Sequence, residues 1–176
     1  GRVKMENIVL IGMPGCGKST LGVILAKELG VDFVDTDIVI QQRTGQLLQT
    51  TLETRGVEAL LDEEQDAVLS LDMSKGRVIA TGGSAVLRER SAEHLHVNSV
   101  CIYLQLSLSQ IEKRVINRNS RGIAADKNHT LSDIYSFRVP YYEKNADICI
   151  DCNNSTVEEI VERIVKELTD RFDVRS

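Results

Sequence analysis

A glycine-rich loop between a strand and a helix is the feature that most restricts the fold of this chain. The pattern Gly12-x-x-x-x-Gly17-Lys18-Ser19 follows the apolar run NIVLI and precedes LGVILAKELG. Glycines let successive backbone N–H groups face one point, and a helix that begins near Lys18 adds the positive end of its dipole. This is a P-loop pattern, with odds of a chance match under roughly 1 in 100 for such a chain. We therefore predict a binding site for a nucleoside triphosphate.

Six residues of this loop are predicted to contact the nucleotide: Gly15, Cys16, Gly17, Lys18, Ser19 and Thr20. Lys18 would reach the outer phosphates, and the Ser19 hydroxyl would ligate Mg²⁺. Cys16 is interpreted as a small residue that the loop tolerates. The alternative is a thiol that makes the site sensitive to thiol reagents.

Short apolar runs alternate with longer amphipathic ones along the whole chain. The predicted strands are 7–12, 32–35, 77–82, 99–104 and 146–151, and the predicted helices are 18–29, 38–54, 57–73, 107–118, 131–144 and 156–169. Such alternation is typical of an α/β fold with a mainly parallel sheet. Ligands of these folds bind at the carboxyl ends of the strands, so we looked for polar residues there.

Size and charge restrict the partners. The 176 residues are 42% hydrophobic and carry a formal net charge of -5. One domain, 1–176, is expected because a chain of this size buries a sizeable core. Nucleic acids and anionic membranes both favour a basic surface, so neither is expected as a partner. The prediction is a cytoplasmic monomer whose partner is a small molecule.

The second predicted strand runs into two aspartates in the sequence DFVDTDIVI. Asp35 falls at the carboxyl end of the strand, where it would hold Mg²⁺ through water. Asp37 would orient an acceptor hydroxyl and take its proton. The competing interpretation makes Asp37 the N-cap of the following helix, because aspartate is among the preferred caps.

The third strand ends in TGGSAV, and two further segments supply cations. Gly82 and Gly83 leave space and backbone N–H groups for a substrate; the alternative is a plain tight turn. The polar stretch 113–130 suits a lid with Arg114, Arg118 and Arg121 as charge stabilisers, or else is a solvated loop. Arg138 precedes Pro140 closely, which predicts a position near a helix break. A guanidinium there would suit a carboxylate.

Together these segments resemble shikimate kinase, the small P-loop kinase of aromatic amino-acid biosynthesis. The matching stretches are GMPGCGKST, FVDTD, VIATGGSAV and RVPYY…ADICID, in the family's order and close to its spacings, from Asn7 to Asp151. The resemblance implies a three-layer P-loop fold with a five-stranded parallel sheet in the order 2-3-1-4-5. It also implies ATP and Mg²⁺ as cofactors, an acceptor-binding segment at about 36–73 and a lid at about 114–130.

The resemblance further implies a role for each matching residue. On the nucleotide side these residues are Lys18 and Ser19 for triphosphate and magnesium, Asp35 for the outer shell of the metal, Arg114 against adenine, and Arg121 as the lid arginine that reaches phosphate. On the acceptor side they are Asp37 for ring hydroxyls, Gly82 and Gly83 for backbone contacts, Arg138 for the carboxylate, and Glu64.

Three departures from the family's pattern affect the acceptor side and the lid. The family stretch G-E-x-x-F-R-x-x-E reads GVEALLDEE here, so Leu61 stands where an arginine grips the substrate carboxylate. Glu64, the partner of that arginine, is retained on an apolar helix stripe; the alternative is a surface glutamate at the edge of the stripe. Ser84 replaces the third glycine of a Gly-Gly-Gly turn, and Gly122 replaces the lid proline.

The missing arginine bears on the choice of acceptor. A charge-assisted contact is worth about 1.5–3 kcal/mol, or roughly a 10- to 150-fold weakening of carboxylate binding when lost. Compensation would have to come from Arg43, Arg55 or Arg88. The phosphoryl-transfer half is therefore predicted to be intact, with the acceptor half altered.

Three functions follow from this pattern. The first is a small-molecule kinase, with shikimate as the best-named acceptor and gluconate or homoserine as rivals. The second is a degenerate kinase fold that binds a nucleotide and acts as a regulator. The third is a nucleoside monophosphate kinase, which needs more arginines around a second phosphate.

Overall fold

The computed structural model describes residues 6–118 and 129–175, and its described strands form one parallel sheet. They are β1 (Asn7–Ile11), β2 (Phe33–Asp35), β3 (Val78–Ala80), β4 (Ser99–Gln105) and β5 (Ile148–Asp151). Their order is β2-β3-β1-β4-β5, with every neighbouring pair parallel. The predicted α/β fold with sheet order 2-3-1-4-5 is confirmed.

Helices flank this sheet. Those in the described residues are α1 (Lys18–Leu29), α2 (Thr36–Thr44), α3 (Leu48–Leu69), α4 (Glu89–Leu95), α5 (Leu108–Arg118), α6 (Leu131–Asn145) and α7 (Val157–Arg175). The three central strands are apolar and buried because helices cover both faces, as parallel sheets require. Within residues 6–118 and 129–175, no helix has both the length and the apolar character to cross a membrane.

The sheet brings the loops that follow β1, β2 and β3 to one edge. Val9 of β1 is in register with Ile79 of β3, so these two strands end side by side. Thr81, just after β3, fastens the two strand ends together. Its backbone N–H and its hydroxyl both donate to the carbonyl of Leu10, over 3.2 and 2.8 Å. The P-loop and the Gly82-Gly83 turn therefore leave the sheet as neighbours.

The predicted helix 38–54 was wrong, since this stretch forms two helices. α2 ends at Thr44 because Gly45 adopts a left-handed conformation (φ 71°), and its N–H donates to the carbonyl of Gln41. α3 then starts at Leu48 and changes direction at Gly56, whose φ of 88° is not helical. The sequence analysis also missed α4, which at seven residues is too short to show a clear helical period.

The predicted helix break near Arg138 was wrong too. Arg138 lies in the middle of α6, and Pro140 is inside the same helix. Proline cannot donate a backbone hydrogen bond, so the carbonyl of Ser136 loses its usual helical partner. The helix persists because both sides of this position are anchored: Thr130 and Asp133 form a capping box at the start, and Tyr142 is fully buried near the end.

Candidate active site

The P-loop backbone turns at glycines that no other residue could replace without strain. Gly12, Gly15 and Gly17 have φ values of 148, 84 and 84°, in the region that favours glycine. A Cβ atom on Gly12 would also lie 3.0 Å from the carbonyl oxygen of Leu104. Gly17 is the N-cap of α1, so the loop delivers its amides directly to the helix terminus.

The Lys18 ammonium group lies across this loop. Its Nζ donates to the carbonyl oxygens of Gly12 and Met13 over 2.7 and 2.9 Å, and Cys16 Sγ lies 3.6 Å away. Only 7% of the residue is exposed. These contacts hold the charge at the mouth of the loop, where it suits the outer phosphates of a nucleotide.

Ser19 and Asp35 form the oxygen pair expected of a magnesium site. Ser19 Oγ donates to Asp35 Oδ2 over 2.7 Å, and Asp35 Oδ1 accepts from the backbone N–H of Asp37 over 2.9 Å. A hydroxyl and a carboxylate side by side are hard oxygen ligands of the kind that Mg²⁺ prefers. The residues present therefore fit this metal, and Asp35 is fixed at the same time as the N-cap of α2.

The interpretation of Asp37 as a helix cap was wrong. Because Asp35 caps α2, the Asp37 carboxylate is released from that task and turns toward the loop after β3. Its Oδ1 lies 3.0 Å from the position of a Cβ atom on Gly82. Burial raises the pKa of Asp37 and the charge of Asp35 raises it further, while Lys18 opposes both. A carboxylate that does not cap the helix and whose pKa is raised has two of the properties of a proton acceptor.

The two glycines after β3 lie where side chains would not fit. A Cβ on Gly82 would be 2.8 Å from Glu64 Oε2, and one on Gly83 would be 2.6 Å from Pro14 and 2.8 Å from Arg138. The Gly82 N–H, expected to be free for substrate, donates to Thr36 Oγ1 over 3.2 Å. Small size, more than a free amide, is what Gly82 provides.

Glu64 is a buried group of the site, and its interpretation as a surface glutamate was wrong. It is 6% exposed, and the Ser84 hydroxyl donates to its Oε1 over 2.6 Å. Burial raises the pKa of Glu64 to about 7, and the charge of Asp37 raises it as well. The Ser84 hydrogen bond and the positive charges of Arg138 and Arg88 act in the opposite direction.

Arg138 reaches the same space from α6. It is 5% exposed, and its guanidinium group lies beside Gly83. The Tyr142 hydroxyl, one turn further along α6, donates to the Gly83 carbonyl. The helix is thereby tied to the loop after β3, which keeps the guanidinium next to the two glycines.

The three arginines considered as substitutes for the missing cation lie elsewhere. Arg88 binds Asp62 and Glu58, with Arg88 Nη2 and Glu58 Oε2 3.1 Å apart, and Arg55 pairs with Glu63 over 3.0 Å. Arg43 is an exposed residue in the last turn of α2. Among the described residues, Arg138 is the only arginine that lines the cavity at this edge of the sheet.

That cavity has a volume of about 210 Å³ and joins the two halves of the site. The predicted site residues that line it are Gly15, Gly17, Lys18, Ser19, Thr20, Asp37, Glu64, Gly82, Gly83 and Arg138. Those that do not line it are Cys16, Asp35 and Arg114, whose Nη1 donates to the Gly15 carbonyl over 3.3 Å. Arg121 and most of the predicted lid lie outside the described residues.

The sequence analysis missed part of the cavity wall. The additional lining residues are Pro14, Ile40, Leu48, Leu60, Thr81 and Ser84. Ser84 could have been found, because it is one of the departures from the family pattern. The apolar side chains of α2 and α3 gave no such signal, since apolar residues on a helix usually indicate core packing.

The sequence model of the Shikimate kinase family matches residues 14–169. A shikimate kinase from Thermodesulfovibrio yellowstonii is 38% identical over 165 residues, which cover 93% of this chain and 95% of that protein. The chain belongs to the shikimate kinase family. Shikimate kinases are ATP-dependent phosphotransferases that act on a hydroxyl group.

Solved structures agree with the shikimate kinase assignment. Shikimate kinase from Acinetobacter baumannii in complex with shikimate superimposes with a TM-score of 0.87 at 27% identity, covering 95% of this chain and 94% of that one. A gluconokinase from Sinorhizobium meliloti reaches a TM-score of 0.53 at 16% identity, covering 99% of both chains. The second likeness concerns the fold alone, so it gives no support to gluconate as acceptor.

Proposed function

We propose that this chain transfers the terminal phosphoryl group of ATP to a ring hydroxyl of shikimate. The observation that carries the proposal is one cavity lined by the phosphate-binding loop and by Asp37, Glu64 and Arg138. Nucleotide and acceptor groups thus face each other across a short distance. Phosphoryl transfer depends mainly on such positioning and on charge stabilisation.

On the nucleotide side, the loop amides and Lys18 bind the phosphates. The Lys18 ammonium group gives up contacts to the loop carbonyls in favour of phosphate oxygens, which carry more charge. Ser19 and Asp35 would hold a magnesium ion, which would supply positive charge to the phosphate oxygens. Arg114 donates to the Gly15 carbonyl of the loop, and its side chain would lie against the adenine ring.

On the acceptor side, Asp37 orients the hydroxyl and takes its proton. Burial and the charge of Asp35 raise its pKa, which makes it a better base than an exposed aspartate, and the charge of Lys18 acts in the opposite direction. Arg138 pairs with the carboxylate of the acceptor, because a buried guanidinium group binds a carboxylate strongly. Gly82 and Gly83 let the acceptor approach the backbone closely.

Among the described residues, the cavity has no second arginine, so several acceptors need to be compared. Because Leu61 leaves the acceptor carboxylate with Arg138 alone among the described residues, acceptor binding weaker than in a two-arginine site is expected. Gluconate and homoserine also offer a hydroxyl and one carboxylate. They are the rival acceptors.

The proposal is tested by ADP release with purified protein, MgATP and each acceptor in turn. We expect turnover with shikimate to be well above that with gluconate or homoserine. The KM for shikimate should be higher than in a shikimate kinase that has both arginines. A reaction without acceptor corrects for ATP hydrolysis. Faster turnover with gluconate or homoserine would mean that shikimate is not the acceptor. Nucleotide binding without turnover of any acceptor would mean that the protein is a regulator and not a kinase.

A further inference from the structure

Half-buried Ser84 and buried Glu64 form a hydrogen-bonded pair at the wall of the cavity. Ser84 lies four residues beyond the end of β3, and Glu64 comes from the middle of α3. The Ser84 Oγ to Glu64 Oε1 distance is 2.6 Å, and both residues line the cavity. The roles proposed above do not explain why a hydroxyl group lies here.

The pair leaves one oxygen of Glu64 directed at the acceptor space. Oε1 is taken by Ser84, whereas Oε2 lies over Gly82. Asp37 Oδ1 lies 3.0 Å from the position of a Cβ atom on the same glycine. Two carboxyl oxygens therefore border one point where only a glycine leaves room, and that point lies next to the predicted proton acceptor.

Part of the cavity wall is apolar. Ile40, Leu48 and Leu60 line the cavity with apolar side chains, and Arg138 is its single arginine in residues 6–118 and 129–175. Hydroxyl groups of a bound acceptor need partners, since an unpaired buried hydroxyl is costly. Oε2 of Glu64 is placed to be such a partner.

Building on the proposed function, we propose that Ser84 is a positioning residue that holds Glu64 so that its Oε2 binds an acceptor hydroxyl beside the one bound by Asp37. The pair then favours acceptors with a hydroxyl group next to the one that Asp37 binds. In this proposal Ser84 replaces the arginine that is the partner of Glu64 in the family. The Ser84 hydroxyl fixes the position of the carboxyl group, but it adds no positive charge to the cavity.

The groups that face Glu64 are compatible with this role. Asp37 approaches from α2, Arg138 from α6 and Arg88 from the turn before α4. Burial holds a large part of Glu64 in the protonated form near neutral pH. With Ser84 donating to Oε1, the proton of the neutral form lies on Oε2, where it donates to the oxygen of an acceptor hydroxyl.

The experiment compares Ser84→Ala, Glu64→Ala and the double variant in steady-state kinetics. We expect Ser84→Ala to raise the acceptor KM roughly 3- to 10-fold with little change in the ATP KM. Glu64→Ala should raise it further, and the double variant should match Glu64→Ala, because Ser84 acts through Glu64. Ser84→Thr keeps the hydroxyl and should restore most of the affinity. Ser155→Ala, a serine away from the cavity, is the matched control.

Acceptor analogues that each lack one ring hydroxyl locate the contact. One of these analogues lacks the hydroxyl group that faces Glu64. For that analogue, Ser84→Ala and the unaltered protein should have similar KM values. An unchanged KM in Ser84→Ala, or effects of Ser84→Ala and Glu64→Ala that simply multiply, would overturn the proposal. Thermal unfolding and MgATP affinity verify that each variant is folded.

A titration without acceptor separates this proposal from the proposed function. The side-chain carboxyl of Glu64 is followed by carbon NMR in the unaltered protein and in Ser84→Ala. Loss of the Ser84 hydrogen bond should raise the pKa of Glu64, and an unchanged pKa would overturn the pairing. Absence of turnover with every acceptor overturns the proposed function instead, and the titration still decides the pair.

Discussion

The two halves of the site are built in different ways. The proposed nucleotide half is centred on one continuous segment, in which glycine geometry aims backbone amides and a single lysine at one point, and Asp35 and Arg114 contact this segment from β2 and α5. The acceptor half is assembled from side chains of α2, α3 and α6 and from the loop after β3. A phosphate site made of backbone amides depends on the spacing of its glycines and tolerates few substitutions. A set of separate side chains can exchange one partner for another, as we propose for Ser84 in place of the arginine that the family has at Leu61.

Removal of the Lys18 ammonium group should lower the turnover rate more than any of the other substitutions. A smaller effect would contradict the description of the nucleotide half. Lys18→Ala is expected to lower kcat by roughly 10²- to 10³-fold or more, because the charge acts where negative charge develops. ADP release at saturating MgATP and acceptor measures it. Lys27→Ala, at the exposed end of the same helix, is the control. Turnover retained in Lys18→Ala would count against the nucleotide half as described.

Glu64 should make the acceptor half sensitive to pH. Its pKa is about 7 in the folded protein and 4.5 ordinarily, so the folded state binds more protons between these values. The free energy of unfolding should therefore fall as pH rises from about 5 to 8, by on the order of 3 kcal/mol. Glu64→Gln should remove most of this fall.

Urea unfolding at several pH values measures this dependence. Glu63→Gln is the matched control, because its carboxylate pairs with Arg55 away from the cavity. An equal slope in the unaltered protein and in Glu64→Gln would mean that Glu64 is not the group responsible.

Arg138 tests the acceptor half alone. Arg138→Met should raise the acceptor KM by roughly 10- to 150-fold, since one charge-assisted contact is lost, and leave the ATP KM nearly unchanged. Initial rates with each substrate varied in turn make the distinction. Arg90→Met, an exposed arginine of α4, serves as control. Equal effects on both KM values would mean that the halves are not separable.

The smallest effect is expected when a positive charge is added to the acceptor half. Leu61→Arg should lower the KM for shikimate by about 10-fold, because residues three apart on a helix share a face and the new guanidinium can reach Glu64. Leu61→Met, similar in size but uncharged, is the control. An unchanged or higher KM in Leu61→Arg would indicate that the acceptor pocket differs more widely from that of the family.

The fold was largely predictable because its signals are local. Apolar runs of β-branched residues marked all five strands, and the strand–loop–helix context of the P-loop fixed the first of them. The order of the strands came from the family resemblance. The split between α2 and α3 also had a local signal in Gly45, which the apolar pattern of 38–54 obscured. The short α4 had none.

The site was predictable where the chain supplies its residues in sequence and less so elsewhere. Asp35 and Asp37 were identified, but spacing alone could not tell which of them caps α2. Glu64 was flagged, yet its burial depends on Ser84 and Asp37 from other elements. Tyr142 was missed, since nothing in its local sequence indicates a hydrogen bond to Gly83.

Pro140 has a consequence for how α6 serves the site. The absent rung between Ser136 and Pro140 spans Arg138, whereas Tyr142 lies beyond it. A helix bends at least cost where a rung is missing. If Arg138 binds the acceptor carboxylate as proposed, the turn that carries its guanidinium group is the part of α6 that can tilt toward the acceptor, while Tyr142 stays bonded to the Gly83 carbonyl.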